Sequence, residues 1–359
     1  MSLERMRDWV FELPDQIRIG LERAEARGWP ESIRAATSAN AHAMFVGGMG
    51  GSAVSARLSR ALLIDSLRGS VEIGSDPHLP GWVDGETSAG LISYSGETWE
   101  VLALWEQLAS RGALPWVVSC GGELAERSRS TGAPHLLVPP GYAPRAAFGW
   151  LLSSVALALA ATGGGDAVPS VRSQLGEAAA ALAEEREFWR KGSAGAAGRD
   201  PEALASALAG RRVLVLVARE SDLALAYRWK NQFEENAKQV TQVVAFPEAG
   251  HNEIEGWARL GGGEVVFLET PARAGEPARV ARGRDAALEA VLDVARQAGL
   301  GVHRVPTAPG SRWTGFLSQV FLADFVSIRM AEQRGIDPEP VPVLGSIKDA
   351  VRRHLDPGA

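Results

Sequence analysis

The chain has 359 residues, 46% of them hydrophobic, and a formal net charge of −6. That is enough for two ordinary domains, and the acidic balance argues against a nucleic-acid partner. Cys120 is the single cysteine, which excludes an intramolecular disulfide and fits a reducing compartment. No apolar run reaches the ~20 residues of a membrane span. Met1–Arg18 mixes acids, bases and Pro14, which is not the pattern of a signal peptide, so the expected setting is cytoplasmic.

Short apolar runs and 40 glycines predict repeated strand–loop–helix units. Candidate strands at Met44–Val46, Val71–Gly74, Gly90–Tyr94, Trp116–Ser119 and Leu136–Val138 alternate with helical stretches at Val54–Leu67, Trp99–Ala109 and Pro144–Ala161. Unbroken apolar strands separated by helices imply a parallel sheet covered on both faces. A Gly-rich break at Thr162–Asp166 and a helix-rich segment to Ala209 follow, with a Gly/Ala/Ser-rich loop at Gly192–Arg199. A second series then begins, with strands at Val213–Ala218, Val243–Phe246, Val265–Leu268 and Val302–Val305. Trp313–Arg334 reads as a long helix with an apolar stripe at Leu317, Phe321, Phe325 and Ile328. The expected class is α/β: two doubly wound domains, at 1–165 and 210–359, joined by a helical segment at 166–209. The two halves share no convincing sequence repeat.

Gly47-Gly48-Met49-Gly50-Gly51-Ser52 lies between a strand and a helix. Glycines there let the backbone approach a ligand closely, and the next helix offers unpaired N–H groups to an anion. The loop also fits a dinucleotide fingerprint, but that pattern needs an acid ~20 positions on, and Glu72 and Asp76 are only loosely placed. A glycine turn that merely packs is the third reading. Ser93-Tyr94-Ser95-Gly96-Glu97-Thr98 follows the third strand and leads into a helix. One Ser or Thr there is an ordinary N-cap. Three hydroxyls with a glycine among them can wrap a phosphate without a cation. Glu97 is awkward beside a dianion and is expected to point away or to contact the sugar.

These two loops resemble the signature of the SIS (sugar isomerase) family, which binds phosphorylated sugars. The resemblance implies phosphate contacts from Gly50, Gly51, Ser52, Ser93, Ser95 and Thr98. It gives the ligand class and leaves the chemistry open. Five further stretches are similar to the bifunctional phosphoglucose/phosphomannose isomerase branch: Ser119–Ala125, Gly141–Ala147, Arg228–Lys238, His251–Trp257 and Arg334–Pro338. With the phosphate loops they run in the family's order through most of the chain.

The resemblance implies reversible conversion of glucose 6-phosphate, and of mannose 6-phosphate as a second substrate, to fructose 6-phosphate through a cis-enediol. Glu235 would be the base that moves a proton between C2 and C1. Its neighbour Glu234 stands where the family has a neutral residue, so two adjacent acids compete for the role. His251 would assist ring opening, since imidazole exchanges protons near neutral pH. It would do so in the partner subunit's site, which implies a homodimer with shared active sites. Arg145 would stabilise the enediolate. Lys348, in Leu344-x-x-Ile347-Lys348, is either a second ring-opening group or a solvated lysine. No metal and no cofactor are implied. Two positions depart from the branch: Arg329 stands in place of a tyrosine, and Val341 in place of a small hydroxyl residue thought to admit both C2 epimers. The rival reading is a sugar-phosphate sensor without turnover. An amidotransferase sugar domain fits less well, because no nucleophilic cysteine or glutaminase segment precedes the first loop.

Overall fold

A computed structural model describes residues 2–37, 43–67, 69–163, 167–191 and 197–355. Residues 164–166 of the expected Gly-rich break and 192–196 of the expected loop lie outside the described residues. Three helices come first, α1 (Ser2–Phe11), α2 (Leu13–Ala26) and α3 (Trp29–Ala36). Pro14 and Pro30 sit in the first turns of α2 and α3, where the missing N–H costs nothing.

The first sheet alternates β1 (Ala43–Gly48), α4 (Gly50–Leu63), β2 (Ser70–Gly74), β3 (Ser88–Ile92), α5 (Trp99–Ser110), β4 (Trp116–Ser119), α6 (Gly122–Thr131) and β5 (His135–Leu137). All its pairings are parallel, in the order β2-β1-β3-β4-β5. The order reverses between β1 and β3, the switch point where open α/β sheets bind ligands. Both expected loops emerge there. Two boundaries shift from the sequence reading. The helix after the glycine loop starts at Gly50, so Gly50, Gly51 and Ser52 form its first turn. Pro144–Ala161 is a 3-10 turn (Pro144–Ala146) followed by α7 (Phe148–Thr162).

The next helices are α8 (Ala167–Arg190) and α9 (Pro201–Leu208), the latter capped by the Asp200 side chain on Glu202 and Ala203 N–H. The second sheet comprises β6 (Val213–Val217), β7 (Thr241–Ala245), β8 (Glu264–Leu268) and β9 (Gly301–Val305), again parallel, in the order β7-β6-β8-β9. Its helices are α10 (Leu223–Glu235), α11 (Glu253–Trp257) and α12 (Ala278–Gln297). The chain closes with α13 (Arg312–Gln333) and α14 (Pro342–Leu355).

α13 is buried at every position from Trp313 to Ile328, more than the predicted stripe. It is the central beam, touching α1, α8, α9 and α10. Phe11 and Trp189, both partly buried, meet the buried Phe325 there with ring centroids 4.6 and 4.7 Å from it, and full burial of a ring such as Phe325 stabilises by roughly 1.5–3 kcal/mol. One continuous apolar core joins elements of both sheets, so the helices that carry the two halves are packed as one body. No helix of the described residues is long and apolar enough to cross a membrane.

Candidate active site

The first part of the site is a cradle of hydroxyls. The Oγ of Ser93 lies 2.7 Å from Thr98 Oγ1 and 3.5 Å from Ser95 Oγ. Gly96 N–H donates to Ser93 Oγ at 3.1 Å and Glu97 N–H to Ser95 Oγ at 3.2 Å. Thr98 is the N-cap residue of α5, yet its hydroxyl makes no capping bond because it turns to Ser93. The first turn of α4 has no side-chain cap either. Two uncapped helix N-termini therefore stand on adjacent strands, with the positive ends of their dipoles beside the hydroxyls. The side chain of Glu97 turns away from the cradle and accepts the Glu123 N–H at 2.9 Å at the start of α6.

Gly51 connects the cradle to the second part. A Cβ placed on it would sit 3.7 Å from the Pro144 carbonyl oxygen and 3.8 Å from Arg145 Cα. Arg145 is only 3% exposed. Its Nε donates to Asn236 Oδ1 at 2.6 Å, its Nη1 to Glu235 Oε2 at 3.5 Å, and its Nη2 to the carbonyls of Pro338 and Glu339 at 2.6 and 2.9 Å. Burial pulls the Arg145 guanidinium below its ordinary value, and Glu235 opposes that shift. Glu235 is the last residue of α10 and stays partly exposed. Glu234 points elsewhere, pairing with Lys230 and accepting from Thr241 N–H at 3.4 Å. Of the two adjacent acids, Glu235 is the one beside Arg145.

A strap crosses this pair. Lys238 Nζ donates to the carbonyls of Glu235 and Pro340 at 2.5 and 2.8 Å. Burial and the neighbouring Arg145 lower its pKa. At the far edge Ser2 and Arg5 hold the side chains of Asp337 and Glu339.

His251 and Lys348 are not joined to these residues within one chain. His251 ends the 3-10 turn Glu248–His251 after β7 and is exposed. It lines a cavity of about 1050 Å³ between α12 and the ends of β6 and β7, with Phe246 and Arg284 on other walls. Lys348 is exposed on α14, a helix with no buried residue. Arg329 pairs with Glu202 and Glu332 at the surface. No group of three or more His, Cys, Asp or Glu side chains among the described residues could hold a metal ion.

Sequence reasoning missed the polar side chains behind Arg145: Asn236, Ser327, Asp324 and Arg228, all buried. One signal was available. Asp324 and Ser327 fall within the apolar stripe of α13, where a polar residue needs a partner.

Hydroxyl-lined helix N-termini at the switch point of one parallel sheet, joined through packed helices to a second such sheet, match a SIS-type architecture. Residues 198–351 match the family described as bacterial phospho-glucose isomerase C-terminal SIS domain. A bifunctional phosphoglucose/phosphomannose isomerase of Aquifex aeolicus is 30% identical over 86% of this chain and 89% of its own. One from Caldicellulosiruptor bescii is 27% identical over 97% of this chain and 99% of its own. The solved tagatose-6-phosphate ketose/aldose isomerase of Escherichia coli shares the fold, with TM-score 0.70, 15% identity and coverage of 94% of this chain and 95% of that one. The chain belongs to the bifunctional phosphoglucose/phosphomannose isomerase family.

Proposed function

We propose that this protein is an aldose–ketose isomerase that interconverts glucose 6-phosphate and fructose 6-phosphate, with mannose 6-phosphate as a second substrate. The observation that carries the reading is the Arg145–Glu235 pair, set beside a hydroxyl cradle at two helix N-termini. Ser52, Ser93, Ser95, Thr98 and the N–H groups of Gly50 and Gly51 hold the phosphate dianion. That anchor places C1 and C2 of the opened sugar toward Glu235.

The Glu235 carboxylate removes the proton from C2 while the C1 carbonyl oxygen is protonated, giving the cis-enediol. Returning the proton to C1, with loss of the O2 proton, leaves the C2 ketone. One carboxylate serves both carbons because both lie on one face of the intermediate. Arg145 stabilises negative charge on the enediolate oxygens. Its contact with Glu235 is the longest of its N–H···O bonds, and an enediolate oxygen would take its place. His251, exposed and without a side-chain partner among the described residues, acts in ring opening at the neighbouring subunit's site in a homodimer, and Lys348 is the second candidate for that step. The single Cys120 supports a cytoplasmic setting.

The test is Glu235→Gln, which keeps the side chain's volume and removes its basicity. General base catalysis supplies ~10²–10⁴-fold in rate, so isomerisation should fall at least a hundredfold while sugar-phosphate binding survives. In heavy water the wild type should pass solvent deuterium into C1 of fructose 6-phosphate, and the variant should not. Binding by the wild type with neither turnover nor exchange would replace this reading by the sensor.

A further inference from the structure

Arg145 is held from both ends. Its backbone carbonyl accepts from Nη1 and Nη2 of Arg228, each at 3.1 Å. Arg228 lies bidentate on Asp324, with Nε to Oδ1 at 3.0 Å and Nη2 to Oδ2 at 2.7 Å. The backbone carbonyl of Asp324 accepts from Ser327 Oγ at 2.7 Å, and Ser327 Oγ accepts from Asn236 Nδ2 at 2.9 Å. Asn236 Oδ1 then accepts from Arg145 Nε at 2.6 Å. The bonds make a closed ring that leaves Arg145 at its carbonyl and returns at its guanidinium, through α10, α13 and the turn after α10. Every member is at most 3% exposed.

We propose that Arg228, Asp324, Ser327 and Asn236 are positioning residues for isomerisation, their ring fixing the orientation of Arg145 against Glu235. The inference rests on the functional reading above. Stability alone does not account for the ring, because a buried ion pair contributes little net stability over well-packed apolar residues of similar volume. What it adds is direction. Arg228 fixes the turn that carries Arg145, its guanidinium also lying over the Phe148 ring at 4.4 Å. Asn236 fixes the plane of the Arg145 guanidinium. It directly follows Glu235, so the base and its cationic neighbour are set by one pair of adjacent residues. None of the four is aimed at the hydroxyl cradle, so substrate affinity should be nearly independent of them.

The experiment measures kcat and KM for fructose 6-phosphate, with thermal melting, in four variants. Ser327→Ala removes one link without a buried charge left over, and kcat should fall about tenfold with KM within about twofold, since small misplacements of a catalytic group are costly. Asp324→Asn should lower kcat about a hundredfold if it folds; if it does not, Ser327→Ala decides. Ser128→Ala, which removes a buried hydroxyl on α6 that donates to the Leu124 carbonyl, is the control for lost packing and should leave kcat unchanged. In an Arg145→Ala background, adding Ser327→Ala should cost no further kcat, because nothing remains for the ring to orient. Wild-type kcat in Ser327→Ala, or a full additional loss in the double variant, would overturn the proposal. The two readings fail separately: activity retained in Glu235→Gln removes the site, whereas an inactive Glu235→Gln with an unaffected Ser327→Ala removes only the ring.

Discussion

Replacing Gly96 by Ala tests whether the hydroxyl cradle is the phosphate site, and its size can be worked from the coordinates. Gly96 has φ +74°, and a Cβ on it would lie 1.9 Å from the Gly121 carbonyl oxygen. The obstacle is backbone and cannot rotate aside, so the loop must open by about 1 Å. The left-handed conformation adds ~1–2 kcal/mol for an L residue. Opening the loop also weakens two bonds, Gly96 N–H to Ser93 Oγ and Leu124 N–H to the Gly96 carbonyl, each worth ~1 kcal/mol. About 3 kcal/mol is therefore set against the ordered cradle, equivalent to roughly a hundredfold in affinity. Steady-state kinetics should show KM for fructose 6-phosphate raised by that order with a smaller change in kcat, because Arg145 and Glu235 stand on other elements. A folded Gly96→Ala variant with wild-type KM would refute this placement of the phosphate.

Removing single hydroxyls should act in the same direction: Ser95→Ala and Thr98→Ala each weaken binding by ~1.5–3 kcal/mol for a charged partner, seen in KM, and unchanged affinity in both moves the site elsewhere. Glu97→Gln should be far milder, because that side chain caps α6. If His251 serves the neighbouring subunit's site in a homodimer, mixing inactive Glu235→Gln protein with inactive His251→Ala protein should restore partial activity after subunit exchange, since one site of each hybrid would keep both residues; no recovery with exchange confirmed places His251 outside the neighbour's site. Tyr142 gives a pH signature. Burial and its bond to Glu12 raise the phenol from 10.0 to about 12. The fold thus favours the neutral form, and this stabilisation is complete below about pH 10 and lost as pH rises through about 12. Tyr94 is also raised by burial, so phenolate absorbance should lose one of its late-titrating tyrosines in Tyr142→Phe; an unchanged late titration would contradict the contact with Glu12.

The sequence by itself determined the local structure and the class of chemistry. The inner strands β3 and β6 were legible as unbroken apolar runs, because a strand covered on both faces admits little else, and the edge strands β2 and β9, which keep exposed positions, were legible from their valines and isoleucine. Gly50–Ser52 and Ser93–Thr98 were legible because a sharp turn into a helix start demands particular small residues at fixed spacing. The first three helices were not read from the sequence, although their apolar residues recur at helical spacing. The resemblance chose Glu235 of the two adjacent acids, and the tertiary structure has that one beside Arg145. Neighbours on a helix differ by about 100° in direction, so Glu234 goes to Lys230 and Glu235 to Arg145. Only tertiary structure brought Asp324 and Ser327 of α13 behind an arginine more than 170 positions earlier in the chain. A polar residue in an apolar stripe announces that it needs a partner, but which partner depends on how two sheets and the α13 helix pack, and no local pattern encodes that.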